Sequence, residues 1–274
     1  MEKIKVFTAD VDSTLRGHFS NLPGSKTLQA FEEMHKRGWL IGIESGRPLW
    51  QEMEEHHTQW GLSFQFDFII GLNGGELHDY LSQTVQNYNL LSTSSIKRVI
   101  GGIMPFHVNP FIYRDGYMLS LHDDSQLRAS SLRHHSKTVI CKDISELYEV
   151  PTAKILIRTD EIEDSEAFEQ YCLEHICNDD ITCFKTTPVM LEFQSPLNSK
   201  ATALDIFCKT HDISRDQIIA FGDSENDIPM LKYAGTSVAL QNAMNIVKKE
   251  TDYTTAFDCD HDGVGEFLFA HILK

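Results

Sequence analysis

Asp10 and Asp12 stand two residues apart, directly after the apolar run at 4–9. On an extended segment, side chains two apart point the same way, so both carboxylates can face one site. Two close carboxylates repel, and a cation, a shared proton or solvent must offset that repulsion. A hard divalent ion such as Mg²⁺ does so and leaves room for phosphate oxygens. A second acidic run, Gly222-Asp-Ser-Glu-Asn-Asp227, also follows a strand-like segment, and its Asp223 can reach the same ion. Ser45, Gly46 and Arg47 follow another strand and offer a hydroxyl and backbone amides near a helix start, a natural oxyanion site. Lys200 opens a later helix and supplies a positive charge.

These residues need elements to hold them. Apolar runs at 4–9, 39–43 and 66–70 alternate with a helical stripe at 23–36 and a helix expected after Pro48. The same alternation returns after 198, with helices at 199–210, 226–234 and 262–273 and strands at 217–221 and 236–240. Strands alternating with amphipathic helices predict βαβ units and a doubly wound, Rossmann-like parallel sheet. In such a sheet, ligands bind beyond the carboxyl ends of the strands, where the acidic pairs fall. Between these stretches the style changes. Arg114-Asp-Gly116 sits between two strand-like runs as a hairpin, and further strands at 154–158 and 189–193 surround a helix at 164–176. The expected organisation is a catalytic α/β core at 1–83 and 191–274, interrupted by an α+β cap domain at 84–190.

Composition limits the functions available. Twenty-four basic residues against 40 acidic ones give a net charge of -16. That field repels polyanions and excludes a broad nucleic-acid surface, while a metal and a few local cations can still draw a small anion into a cleft. No apolar stretch approaches the length of a bilayer span, and no signal-peptide core precedes the first strand. Six scattered cysteines without a CxxC pair point to reduced thiols, so a cytoplasmic protein is expected.

Four motifs in this order resemble the haloacid dehalogenase-like (HAD) phosphohydrolases, and among them the Cof-type branch with its α/β cap. They are Asp10-x-Asp12-x-Thr-Leu, Ser45-Gly-Arg47, Lys200 and Gly222-Asp-x-x-Asn-Asp227. Asn73-Gly-Gly75 and Asp262-Gly-Val264 are similar to recurring segments of that branch. The resemblance implies that Asp10 is a nucleophile forming an aspartyl-phosphate, and that Asp12 protonates the leaving oxygen and later activates water. It implies Mg²⁺ held by Asp10, the Asp12 backbone carbonyl and Asp223, with Asp227 supporting the metal site. Ser45, Gly46, Lys200 and Asn226 would hold the phosphoryl group. Phosphoryl transfer needs positioning and charge neutralisation more than unusual side chains, which suits this set. Two positions depart from the pattern: Ser13 and Ala201 stand where the family commonly has glycine.

The expected activity is Mg²⁺-dependent hydrolysis of a small phosphorylated metabolite, a sugar phosphate foremost. A phosphosugar mutase with the same nucleophile and a catalytically weak phosphate-binding regulator are the alternatives. Arg47, Arg114 and Arg133 are candidates for substrate specificity. The last two lie in the basic part of the insertion, where seven Lys/Arg face three acids over 85–142, against three and twelve over 143–189. His56-His57 and the Asp258-Cys-Asp-His-Asp262 run read as polar surface on spacing alone.

Overall fold

The computed structural model describes residues 4–50, 53–133, 136–187 and 189–274. In chain order the first stretch runs β1 (Val6–Asp10), α1 (Ser25–Lys36), β2 (Leu40–Glu44), α2 (His56–Gln59), β3 (Phe68–Gly71), β4 (Glu76–Asp79) and β5 (Thr84–Asn87). The middle stretch holds α3 (Thr93–Ile103), β6 (Phe111–Arg114), β7 (Tyr117–Ser120), α4 (Ser125–Arg133), β8 (Lys137–Ile140), β9 (Lys154–Arg158), α5 (Ser165–Tyr171), β10 (Thr182–Thr187) and β11 (Met190–Gln194). The last adds α6 (Lys200–Thr210), β12 (Ile218–Gly222), α7 (Ile228–Tyr233), β13 (Thr236–Ala239), α8 (Asn245–Lys249), β14 (Tyr253–Thr254) and α9 (Gly263–His271). The chain divides into two compact units, residues 1–86 with 199–274, and residues 87–198.

The first unit is built on an eight-stranded sheet of order β14-β13-β12-β1-β2-β3-β4-β5. Its centre is parallel, with β1 between β2 and β12 in a register that pairs Asp10 with Glu44 and Ala9 with Phe221. Strands buried on both faces read as continuous apolar runs, and β1 and β12 are buried at every position. Phe7 anchors this core, with its ring 5.2 Å from Phe31 of α1 and 5.5 Å from Phe221 of β12. Helix α1 turns Thr27, Ala30, Phe31 and Met34 inward. Its first amides are satisfied from the other end of the chain, because Asp262 Oδ2 accepts from Lys26 N at 2.6 Å and Oδ1 from Thr27 N at 3.1 Å.

The second unit has a six-stranded sheet of order β10-β11-β9-β6-β7-β8, antiparallel except for the β7–β8 pair. One face packs on Ile96, Val99, Ile100 and Ile103 of α3 and on Phe168 and Cys172. The expected boundary at 190 moves, because Met190–Gln194 pairs along its whole length with Lys154–Arg158 and belongs to this sheet. The helix expected at 164–176 is α-helical only to Tyr171 and finishes as a π turn. After Pro48 the described residues hold a 3-10 turn at Met53–Glu55 and a single α-turn, α2, in place of the expected helix. No helix among the described residues is long and apolar enough to cross a membrane.

Candidate active site

Three neighbouring parallel strands end together and deliver the site. Asp10 is the last residue of β1, Ser45 follows β2, and Asp223 follows β12. Lys200 is the first residue of α6, whose start is capped by Ser199, with Oγ accepting from Thr202 N at 3.2 Å. That start is held close to the turn after β3. Gly74 has φ +104, and a Cβ there would lie 2.1 Å from Ser199 O, so only glycine lets the two backbones meet.

Lys200 is fully buried, and its ammonium donates to both Asp10 Oδ1 and Asp227 Oδ1, the latter at 2.5 Å. The other Asp227 oxygen accepts the amides of Asp223 (2.9 Å) and Ser224 (3.0 Å). Asp223 in turn accepts from Thr14 Oγ1 and Ser224 Oγ, both at 2.9 Å. Carboxylate oxygens of Asp10, Asp223 and Asp227 thus lie within 4.8 Å of one another. Three buried acids share one buried cation. Burial, and then repulsion from Asp227, pushes Asp223 up to about 6. Burial likewise raises Asp10 well above the usual carboxylate range, against the pull of Lys200. Burial alone would lower Lys200, but Asp10 and Asp227 outweigh it and raise it.

Asp12 is placed differently. Its carboxylate faces two arginines, with Arg16 Nε 2.8 Å from Oδ1 and Arg47 Nε 2.9 Å from Oδ2. Partial burial works to raise this acid, yet Arg47 and then Arg16 hold it below its ordinary value. Arg47 therefore braces Asp12. Ser45 is buried, with Oγ accepting from Arg47 N at 3.1 Å. Asn226 Nδ2 donates to Asn73 Oδ1 at 3.1 Å, and a Cβ on Gly46 would lie the same distance from that oxygen. In the second unit, Arg114 donates Nη1 to Glu146 O at 2.6 Å and so braces the turn at Ile144–Leu147. The side chain of Arg133, and His134 and His135, fall outside the described residues.

The two departures from the family pattern differ in kind. Ala201 lies in regular helix, where alanine is favoured. Ser13 has φ +64, the left-handed region in which a side chain costs about 1–2 kcal/mol. Part of any relief is returned through the flexible unfolded chain, so Ser13→Gly is expected to stabilise by up to about 1 kcal/mol, read as a higher urea midpoint. A lower midpoint would show that the serine hydroxyl contributes more than the strain costs.

Spacing did not single out four supporting residues: Thr14, Arg16, Ser224 and Glu44. Glu44 closes the otherwise apolar β2, fully buried, with Oε1 accepting from Thr8 Oγ1 at 2.6 Å. Burial pushes it up to about 8, against Lys200 and the Thr8 hydrogen bond. An acid protonated in the folded state and ionised in the unfolded one loses stability as pH rises between those two values. Wild type in EDTA is therefore expected to lose stability from pH 5 to 8, by up to ~4 kcal/mol more than Glu44→Gln. Parallel pH profiles for the two proteins would rule this out.

The sequence profile of the haloacid dehalogenase-like hydrolases matches residues 7–268. The chain belongs to that family. Within the HAD hydrolases it is a Cof-type phosphoric monoester hydrolase. It is 26% identical over 263 residues to the 5-amino-6-(5-phospho-D-ribitylamino)uracil phosphatase YitU of Bacillus subtilis, covering 94% of each chain. It is 23% identical to the pyridoxal phosphate phosphatase YbhA of Escherichia coli, over 98% of this chain and 99% of that one. The crystal structure of TM0651 from Thermotoga maritima superposes with a TM-score of 0.85 at 25% identity, covering 97% of each chain.

Proposed function

We propose that this HAD hydrolase is a Mg²⁺-dependent phosphatase of a small phosphorylated metabolite, with sugar phosphates the foremost class. It would work through an aspartyl-phosphate on Asp10. The observation that carries this reading is the buried Asp10–Lys200–Asp227 arrangement with Asp223 beside it at the ends of adjacent strands. The donor set fits a hard divalent cation: every side-chain donor in the cluster is a carboxylate oxygen, and the three acids exceed the one buried cation beside them. Asp10 and Asp223 would hold the ion with the Asp12 backbone carbonyl, and Asp227 would fix Lys200 and the Asp223 amide beside it. When bound, Mg²⁺ supplies charge neutralisation at the phosphoryl oxygens.

The chain's own groups account for the remaining steps. Asp10 attacks phosphorus in line, the phosphorus–oxygen bond to the leaving group breaks, and that oxygen takes a proton. Lys200, Ser45, the Gly46 amide and Asn226 would hold the transferring group. With its two arginines in place Asp12 is an ionised carboxylate, suited to taking a proton from the water that later attacks the aspartyl-phosphate. To act first as the acid, it must exchange the Arg47 contact for a proton, and an arriving phosphate offers Arg47 another anion.

The test is phosphate release from a panel of phosphorylated sugars, nucleotides and cofactors, each with Mg²⁺ and with EDTA. Release that needs Mg²⁺ supports the reading, and the preferred compound names the metabolite class. Transfer between positions of one sugar without free phosphate would indicate a mutase. The specificity expectation for Arg114 and Arg133 is tested in the same panel. Unchanged relative rates on mono- and bis-anionic substrates in both alanine variants would remove it.

A further inference from the structure

A second group of metal-ligating side chains lies in the first unit, outside the carboxylate cluster. His18, Cys259 and Asp260 each place one ligand atom within 4.8 Å of the others. His18 Nδ1 is 3.1 Å from Asp260 Oδ2 and 3.7 Å from Cys259 Sγ. These spacings can be compared with a tetrahedral ion. Bonds of about 2.3 Å to sulfur and about 2.0 Å to nitrogen and oxygen set N and S about 3.5 Å apart and N and O about 3.3 Å apart. The two distances from His18 Nδ1 differ from those figures by a few tenths of an ångström, and the third pair, Cys259 Sγ and an Asp260 oxygen, lies within 4.8 Å.

Both segments are held in place independently of any ion. Asp260 Oδ1 accepts from His18 N at 2.7 Å, which turns the other carboxylate oxygen toward the imidazole. Gly17 makes this approach possible, since a Cβ there would lie 2.0 Å from Asp260 Oδ1. Cys259 N donates to Asn242 Oδ1 at 2.9 Å, and Asn242 Nδ2 donates to Ser13 O at 2.8 Å. Cys259 is buried, while His18 is exposed, so a fourth position opens to water. One soft sulfur, one imidazole and one carboxylate suit a borderline-soft ion and not Mg²⁺ or Ca²⁺.

We propose that His18 Nδ1, Cys259 Sγ and an Asp260 carboxylate oxygen form a three-ligand site for a divalent ion of the zinc class. Binding breaks the Cys259 S–H bond, forms a sulfur–metal bond and releases the proton to solvent. The ion pins the turn that begins at Ser13, one residue after Asp12, to the loop before α9. The proposal is independent of the phosphatase reading, because binding is measured without substrate.

The experiment titrates the full chain with Co²⁺ in excess Mg²⁺, which competes for oxygen-only sites, and records the thiolate-to-cobalt charge-transfer band. One such band per chain is expected in wild type and in Cys177→Ser, and none in Cys259→Ser. In His18→Ala, which alters an exposed residue, Co²⁺ affinity is expected to fall at least tenfold. Zn²⁺ is expected to displace the Co²⁺ and to raise the melting temperature of wild type and not of His18→Ala. Absence of the band in wild type would overturn the site. So would a band retained in Cys259→Ser, or unchanged affinity in His18→Ala, which also decides the matter if Cys259→Ser does not fold.

Discussion

Replacing Asp10 by Asn is expected to lower phosphate release at least about 10⁴-fold while leaving the protein folded. An amide is isosteric with the carboxylate but cannot serve as the nucleophile. Asp10 is one of two buried acids bonded to Lys200, with Asp223 beside them, and burial already raises it. Losing its charge relieves repulsion with Asp227 and Asp223, and Lys200 keeps its contact with Asp227. Stability measured without metal is therefore expected to hold within about 1 kcal/mol or to rise. The comparison needs the rate and a denaturation curve on one preparation. A rate within tenfold of wild type would remove Asp10 from the chemistry. A collapse in stability would mean that its pair with Lys200 outweighs the repulsion.

Lys200→Met is expected to have the opposite profile for stability and the same direction for activity. Lys200 Nζ is completely buried between two carboxylates, and taking it away leaves both acids without their buried cation. Breaking a buried pair from one side typically costs about 3–5 kcal/mol. Loss of a cation aimed at the transferring group should lower the rate at least about 10²-fold. Lys200→Arg is not expected to rescue either property, because the planar fork cannot replace a compact ammonium in a fully enclosed space. The double variant Lys200→Met with Asp227→Asn separates the two effects. It should recover stability relative to the single variant without recovering the rate, a coupling that only a shared site produces.

The parallel core was legible because buried strands leave a plain mark. The runs at 4–9, 39–43 and 217–221 are mostly apolar, and each is followed within two residues by polar residues of the candidate site. The two strands that extend the sheet, Glu76–Asp79 and Thr84–Asn87, carry no such mark, since the second is largely exposed and polar. Helix α3 was obscured by Gly101, Gly102 and its β-branched residues, and packing of Ile96, Val99, Ile100 and Ile103 overrides that propensity. Within the site, motif spacing located Asp10, Asp223, Asp227 and Lys200, because each follows a strand or starts a helix. It could not disclose pairs whose partners lie far away in the chain. Thr14 meets Asp223 across 209 positions, Thr8 meets Glu44 across 36, and His18 meets Asp260 across 242. Nor could it tell that the Asp12 carboxylate turns to Arg16 and Arg47, since period-two alternation ends where the strand does.

The central place of β1 has a consequence for synthesis on the ribosome. Strand β1 pairs with β2, made soon after it, and with β12, made some two hundred residues later. Lys200, Asp223, Asp227 and the Asp262 that caps α1 all emerge after the second unit has been completed. Until then the growing chain exposes one bare edge of a strand that is buried at every position in the finished fold, an invitation to pair with a neighbouring nascent chain. The second unit, continuous in sequence, can finish folding in the meantime. A transcript broken near the Asn198 codon would thus yield a product with Asp10 and Ser45 but neither Lys200 nor Asp223. Such a product is expected in the insoluble fraction, so quality control of the message would limit aggregation of incomplete chains.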